Sequence, residues 1–305
     1  MATLPTFRTR IAPTPSGYLH LGNAYNFLLV HRWTQVISAN GATTSIRLRI
    51  DDLDQERVRP EYLRHTFDLI DALEIPIDLG PKDVADHLAH FSQRDRLPAY
   101  QQLIQLAIDQ QLVYACRCSR RTVATLVNEQ GPNSQNLQTD SIRCPCVAQH
   151  LHPDHEDSCL RLMPTKWDQV LQAMAQQQPS TLGNNLTDSI TAHGDDISAM
   201  PPVLRRRDRL PAYHIATLVD DETHQITHIV RGLDLWHSTI LQQHLATWLG
   251  LPHFGQIRFW HHDLVRDQAG EKLSKSAGAN KTAWLPNLEE LKWLRAQALN
   301  CHFNA

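Results

Sequence analysis

Two stretches far apart in this chain of 305 residues carry side chains suited to phosphate chemistry. The first runs Pro13-Thr14-Pro15-Ser16-Gly17-Tyr18-Leu19-His20-Leu21-Gly22-Asn23. Gly22 lets a phosphate or ribose approach the backbone, and His20 offers a side-chain donor at the same place. The plainer reading is a polar turn whose histidine caps a helix. The second stretch is Lys272-Leu273-Ser274-Lys275-Ser276, set between Gly270 and Gly278. Two lysines three apart, with a small hydroxyl between them, suit a loop closing over a polyphosphate. Each ammonium there offsets charge that develops as pyrophosphate leaves. Alone, it reads as an ordinary basic loop.

Other residues add chemistry of different kinds. Asp51-Asp52-Leu53-Asp54 offers three acids for an amine, a ribose or Mg²⁺, or simply a solvated loop before the next helix. Cys116-Arg117-Cys118 and Cys144-Pro145-Cys146 are two close thiol pairs that can converge into a tetrahedral Zn²⁺ site. The alternative is four free thiols at strand ends. Cys159 and Cys301 have no evident partner and read as structural. His150, His152 and His155 are spare ligands or, more simply, part of a solvated loop. Arg205-Arg206-Arg207-Asp208-Arg209 is the densest basic patch, either a solvated face or, beside an active site, a phosphate contact.

The elements that must hold these residues follow from periodicity. Phe7 to Ile11 and Thr44 to Ile50 alternate as strands, and Ala24, Phe27, Leu28 and His31 place a helix between them that begins near Gly22. Strand, helix, strand at this spacing is a βαβ crossover, so the sheet is parallel and ligands belong beyond the carboxyl ends of its strands. Pro13 to Gly22 and Asp51 to Asp54 both lie at such ends. Further helices are expected from Pro60 through Leu63, Phe67, Ile70 and Leu73, over Leu97–Gln111, over Thr165–Gln178, and over Leu235–Leu249 before Gly250 and Pro252. Ile75 to Lys82 and Pro179 to Asp196 read as loops. Tyr213 to Asp221 is apolar enough to be buried, and Gln225 to Val230 alternates into Arg231-Gly232, another strand end.

Composition sets outer bounds. The net charge of −3 gives no general attraction to nucleic acid, so an RNA contact needs a local basic patch. No apolar run approaches a membrane span and no apolar segment opens the chain, so a cytoplasmic protein with no membrane contact is expected. Six cysteines in that setting indicate thiols or a metal site rather than disulfides.

With both ends in hand, the chain resembles a class I aminoacyl-tRNA synthetase. His20-Leu21-Gly22-Asn23 resembles the HIGH motif and Lys272-Leu273-Ser274-Lys275-Ser276 the KMSKS motif. Arg10 to Gly17, Leu48 to Asp54, Val203 to Asp208 with Pro211-Ala212-Tyr213, and Ile229 to Gly232 resemble the glutamyl branch. The resemblance implies an α/β fold, a Rossmann-like parallel-sheet catalytic domain with a small zinc-binding insertion. Its first half is expected over 1–115, the cysteine-containing insertion over 116–200, the second half over 201–285, and a short helical tail over 286–305. That tail leaves no room for a helical anticodon-binding region, as in the truncated branch that joins glutamate to the queuosine base of tRNA(Asp).

The implied reaction is ATP-dependent activation of L-glutamate, with Mg²⁺, followed by transfer to tRNA(Asp). Its alternatives are glutamyl-tRNA ligation at a 3′ end and a non-catalytic RNA-binding paralogue. The resemblance assigns His20, Lys272 and Lys275 to the transition state. It gives His20, Gly22, Asn23 and Lys275 to ATP, and Arg10, Ala12, Thr14, Asp51, Tyr213 and Arg231 to glutamate. Arginine suits a carboxylate because its paired N–H groups match the two oxygens. Asp51, where the family usually has Glu, is expected to receive the substrate ammonium. The truncated branch uses a Tyr four residues before its last Cys, and counting back from Cys144 gives Asp140. The expected set is therefore Cys116, Cys118, Cys144 and Cys146, holding a structural Zn²⁺ in a monomer.

Overall fold

The computed structural model describes residues 6–130, 142–178, 181–182, 200–263, 282–301 and 303. Strand β1 (Thr6–Ile11), helix α1 (Leu21–Ala39) and strand β2 (Thr43–Leu48) form the expected parallel crossover, with Thr6 opposite Thr43 and Ile11 opposite Leu48. Pairing continues past the strands: the Arg49 N–H donates to Ile11 C=O at 2.9 Å and the Asp51 N–H to Pro13 C=O at 2.9 Å. Those bonds fix the Pro13 turn and Asp51 side by side at one sheet end.

The segment 75–82, expected as a plain loop, docks on the open edge of β2. Asp78 and Leu79 donate to Ile46 C=O, and Leu48 donates to Leu79 C=O. The cause is the set of unpaired backbone groups along that edge, which a neighbouring chain satisfies. Gly80, at φ +114°, makes this approach possible, since a Cβ there would lie 2.3 Å from Leu48 C=O.

In order there follow α2 (Pro60–Ala72), α3 (Val84–His90), α4 (Leu97–Asp109), β3 (Val113–Cys116), α5 (Arg120–Gln130), β4 (Cys159–Leu162) and α6 (Pro164–Gln176). The rest are β5 (Thr181–Leu182), β6 (Val203–Arg205), α7 (Tyr213–Thr223), β7 (His228–Gly232), α8 (Trp236–Trp248), β8 (Arg258–His262) and α9 (Leu288–Leu299). Strands β5, β8 and β7 form a second parallel set, and β3, β4 and β6 an antiparallel sheet beside the cysteines. The two parallel sets meet where the Thr227 N–H donates to Arg8 C=O at 2.9 Å.

One core packs α1 on β1 and β2 around Leu29, Val30, Trp33 and Ile46. A second packs α4, α6, α7 and α8 around Tyr100, Val170, Leu218 and Leu245. A third, smaller one surrounds Cys116, Cys144, Cys146 and Cys159. Among the described residues no helix is long and apolar enough to cross a membrane. Of the Pro179–Asp196 stretch only 181–182 are described, paired to β8.

Candidate active site and cysteine cluster

His20 is the N-cap of α1. Its Nδ1 accepts from the Gly22 N–H at 3.0 Å, while Asn23 Oδ1 accepts from the His20 N–H at 3.0 Å. This reciprocal pair satisfies amides that the first helical turn leaves open. A ring nitrogen that accepts is unprotonated, so a neutral His20 carries its proton on Nε2. Capping and donation are therefore two uses of one ring rather than rival readings. The turn before it is held by His65, whose Nδ1 accepts from the Leu19 N–H at 3.1 Å and whose Nε2 meets Trp284 C=O at 2.7 Å. Ala12 is half-buried and Thr14 exposed, just beyond the end of β1.

Behind this turn lies a frame of buried charges. Arg10 binds Asp221 through two nitrogens, at 3.1 and 3.2 Å. Arg49 reaches Asp221 at 2.6 Å and takes Asp51 with two bonds of 2.7 and 3.1 Å. Arg96 reaches Asp220 at 2.7 Å, where Tyr100 Oη and Gln93 Nε2 also donate, at 2.8 and 2.9 Å. Burial alone would raise the Asp220 carboxyl, but Arg49 and Arg96 hold it below the usual carboxylate range. For Asp51 burial prevails, and its pKa is raised despite Arg49.

The acidic run 51–54 is not an open acid loop. Asp52 is 1% exposed and saturated by Ser92 Oγ (2.7 Å), the Gln93 N–H (2.8 Å) and His87 Nε2 (3.1 Å). It anchors the turn that leads into α4 and is closed off from solvent, so it is not placed to meet a ligand. Asp54 lies 3.8 Å from Arg206 and 3.9 Å from Arg57. Asp51, expected to receive an ammonium, is placed at the sheet end but is shared with Arg49.

Arg231, at the end of β7, differs from the other buried arginines. Its Nη1 and Nη2 donate to Gln242 Oε1, both at 3.0 Å, and Nη2 also to Thr239 Oγ1 at 2.5 Å. The guanidinium lies over the Phe259 ring at 4.8 Å. Its Nε has no hydrogen-bond partner, and among the described residues no carboxylate pairs with it. Burial pulls its pKa down to about 10. Tyr213, Arg10 and Asp221 act electrostatically on Arg231, and Tyr213 also hydrogen-bonds to it. Tyr213 is 40% exposed and is the first residue of α7. Such a cation lacks only an anion.

The sequence reading missed Arg49, Asp220, Asp221, Thr239 and Gln242. A signal existed for two of them: adjacent acids closing a buried helix require cationic partners. Lys272 and Lys275 lie outside the described residues.

The four expected cysteines converge. Their sulfurs all lie within 4.8 Å of one another, with Cys116–Cys144 at 3.7 Å, Cys118–Cys144 at 3.5 Å and Cys118–Cys146 at 3.7 Å. A tetrahedral ion with bonds of about 2.3 Å sets its ligands about 3.8 Å apart, so the spacing fits a metal. Asp140 lies outside the described residues. Cys159 does have a partner, donating to Cys116 C=O at 3.4 Å, and Cys301 lies 3.3 Å from Tyr25 Oη. His150 and His152 are exposed, and none of the three loop histidines joins the cluster.

The basic patch is partly solvated, with Arg207 exposed and Arg205 buried, and its guanidinium groups are engaged by protein acceptors. Arg205 holds Asp154 and Pro153 C=O. Arg209 holds Asp154 and His155 C=O, and Arg207 donates to Arg117 and Cys118 C=O.

A parallel-stranded α/β domain with a capped His-x-Gly-Asn turn at one strand end and arginines at two others defines a class I synthetase catalytic domain. The chain belongs to that family: the model for tRNA synthetases class I (E and Q), catalytic domain, matches residues 6–299. It is 31% identical over 286 residues to the glutamyl-Q tRNA(Asp) synthetase of Rhodobacter capsulatus, covering 89% of this chain and 91% of that one. It is also 31% identical over 288 residues to the glutamate–tRNA ligase of Picosynechococcus sp., where it spans 53% of the relative's length. The glutamate–tRNA synthetase structure from Elizabethkingia anophelis shares the fold, with a TM-score of 0.60 and 21% identity over 88% of this chain and 52% of that one.

Proposed function

We propose that this chain activates L-glutamate with ATP to glutamyl-adenylate and transfers the glutamyl group to the queuosine base of tRNA(Asp). The observation that carries the first half is Arg231, a buried guanidinium whose hydrogen-bond partners among the described residues are neutral side chains. A substrate side-chain carboxylate supplies the missing charge, and a neutral amide does not. The identity spanning 91% of a glutamyl-Q relative supports the second half.

In activation, an oxygen of the glutamate α-carboxylate attacks the α-phosphorus of ATP. The new C–O–P link forms as the bond to the β-phosphate breaks and pyrophosphate leaves. In transfer, a hydroxyl of the acceptor attacks the glutamyl carbonyl, loses its proton and releases AMP. His20 Nε2–H is the side-chain donor proposed for the phosphate oxygens, and the N-terminal end of α1 adds the favourable field of its dipole. Removing one such donor costs roughly 10²–10³ in rate. Lys272 and Lys275 are assigned to the departing pyrophosphate from the sequence alone, and Mg²⁺ would accompany the ATP phosphates.

Arg10 is already neutralised by Asp221, so it shapes the pocket and shares a carboxylate more weakly than Arg231 does. Asp51, with Tyr213, Ala12 and Thr14, lines the side taken by the amino group. Cys116, Cys118, Cys144 and Cys146 would hold Zn²⁺, and four thiolates leave it no open position, so its role is structural. The setting proposed for this reaction is a monomer in the cytoplasm, where a tRNA substrate is found.

The test of the acceptor is transfer of labelled glutamate to queuosine-containing tRNA(Asp), beside a queuosine-free transcript of the same tRNA and tRNA(Glu). Label on the first alone is expected. Label on tRNA(Glu), sensitive to loss of its 3′ end, would establish the glutamyl-tRNA ligase reading instead.

A further inference from the structure

The Arg205–Arg209 run does work that neither the pocket nor the cysteine cluster explains separately. It forms a closed turn between β6 and α7. The Arg206 N–H donates to Leu210 C=O at 2.8 Å, the Ala212 N–H to Leu204 C=O at 3.0 Å, and Arg205 pairs with Pro211. Arg209 sits at φ +66°, a conformation costly for a side chain with a Cβ, so the turn needs outside support. Side chains supply it in three directions. Arg209 Nη2 grips Asp154 C=O at 2.8 Å, and Arg206 faces Asp54 at 3.8 Å. Arg207 Nη2 donates to Arg117 C=O at 2.7 Å and Cys118 C=O at 2.8 Å. Those two carbonyls belong to the first Cys-x-Cys pair. Six residues after Arg207 comes Tyr213, which hydrogen-bonds to Arg231.

We propose that Arg207 is a positioning residue: it ties the backbone of the Cys116–Cys118 pair to the turn carrying Tyr213, so that metal in the cluster orders that turn and tightens amino-acid binding. A divalent ion on four thiolates carries a net charge of about −2. The guanidinium of Arg207 is held near that charge by its bonds to the carbonyls of Arg117 and of the ligand Cys118. Loading the metal therefore strengthens the attraction that holds Arg207 in place, and fixes the two carbonyls it binds. Losing the metal frees both the carbonyls and the arginine, and Arg209's strained backbone then relaxes.

The amino-acid half of this inference rests on the reading of Tyr213 and Arg231 as a glutamate pocket; the mechanical half does not. The experiment separates them. Amide hydrogen exchange over 204–216 is followed in the full-length protein, with and without metal, for the parent, Arg207→Ala and Arg207→Lys. Amides of α1 serve as the control for folding. Metal removal is expected to speed exchange over 204–216 in the parent. Arg207→Ala is expected to speed it equally while keeping about one zinc per chain, with metal removal adding little more. Lysine, with a single point charge in place of the fork, falls between. Fully additive effects, or exchange over 204–216 that ignores the metal, overturn the coupling. In parallel, the glutamate KM in ATP–pyrophosphate exchange should rise about fivefold to tenfold in both states with kcat little changed. Coupled exchange with an unmoved KM would overturn the link to the pocket and leave the turn a purely structural brace.

Discussion

The arginine–carboxylate frame and the cysteine cluster are both buried constellations of ionisable groups, yet they are completed differently. In the frame, Arg10, Arg49 and Arg96 face Asp51, Asp220 and Asp221, and every charge has an opposite partner within 3.1 Å. It is closed, and its closure names no ligand. In the cluster, four sulfur donors converge within 4.8 Å of one another, three of the pairs at 3.5 to 3.7 Å. Its chemistry names what must come, a soft tetrahedral cation. Arg231 lies against the first region and behaves like the second: among the described residues its hydrogen bonds go only to neutral side chains, so an anion would complete it. Function is read from the unfinished groups, and stability from the finished ones.

This contrast breaks most visibly at Asp221, which Arg10 and Arg49 share. Asp221→Ala leaves two buried guanidinia short of a partner and should cost about 3–5 kcal/mol in urea unfolding. A loss below about 1 kcal/mol would mean that the frame is slack. Arg231→Met should act with the opposite sign on stability, because it removes a buried charge that has no directly paired carboxylate among the described residues. It should leave unfolding unchanged or raise the midpoint, while the glutamate KM climbs roughly 10- to 150-fold through lost charge-assisted bonds. A destabilised variant with normal KM would place Arg231 with the frame.

Cys144→Ser sharpens the other side. It should take zinc content from about one per chain to none and impair transfer to tRNA more than glutamate activation, as read by elemental analysis and the two half-reactions. Unchanged metal content would exclude Cys144 as a ligand.

The smallest effect concerns pH. His228 is 5% exposed, stacked on Trp260 with centroids 5.2 Å apart and edge-on to Phe7 at 4.9 Å. Burial lowers its pKa to about 4, from 6.5. The unfolded chain thus takes up a proton between pH 6.5 and 4 that the folded one refuses, so this contribution to stability is complete above 6.5 and lost as pH falls toward 4. Thermal unfolding over that window should show the decline, and His228→Phe should flatten part of it.

Much of the scaffold was legible because its signals are local. The alternation of Phe7–Ile11 and Thr44–Ile50, Pro60 at a helix start, and Gly250 at a helix end each act within a few residues, and β1, β2, α2 and α8 stand where those signals put them. The antiparallel set of β3, β4 and β6 was not legible, since its pairing joins residues more than forty apart. The site divides the same way. His20 and the cysteine pairs sit in short motifs whose spacing shows the chemistry. Asp221, Thr239 and Gln242 gain their roles only when the fold sets them against Arg10 and Arg231. The patch at Arg205–Arg209 stayed open in the sequence because charge density alone does not reveal the partners, which are backbone carbonyls and the carboxylates of Asp154 and Asp208.

The most direct test of the central claim is ATP–pyrophosphate exchange with glutamate, glutamine and aspartate, in the parent and in Arg231→Met. Glutamate should support exchange far better than the other two, and the variant should lose most of that preference by weakening glutamate alone. Exchange that is equal or faster with glutamine or aspartate, or a glutamate preference that survives in the variant, would contradict the assignment of Arg231 as the group that reads the substrate carboxylate.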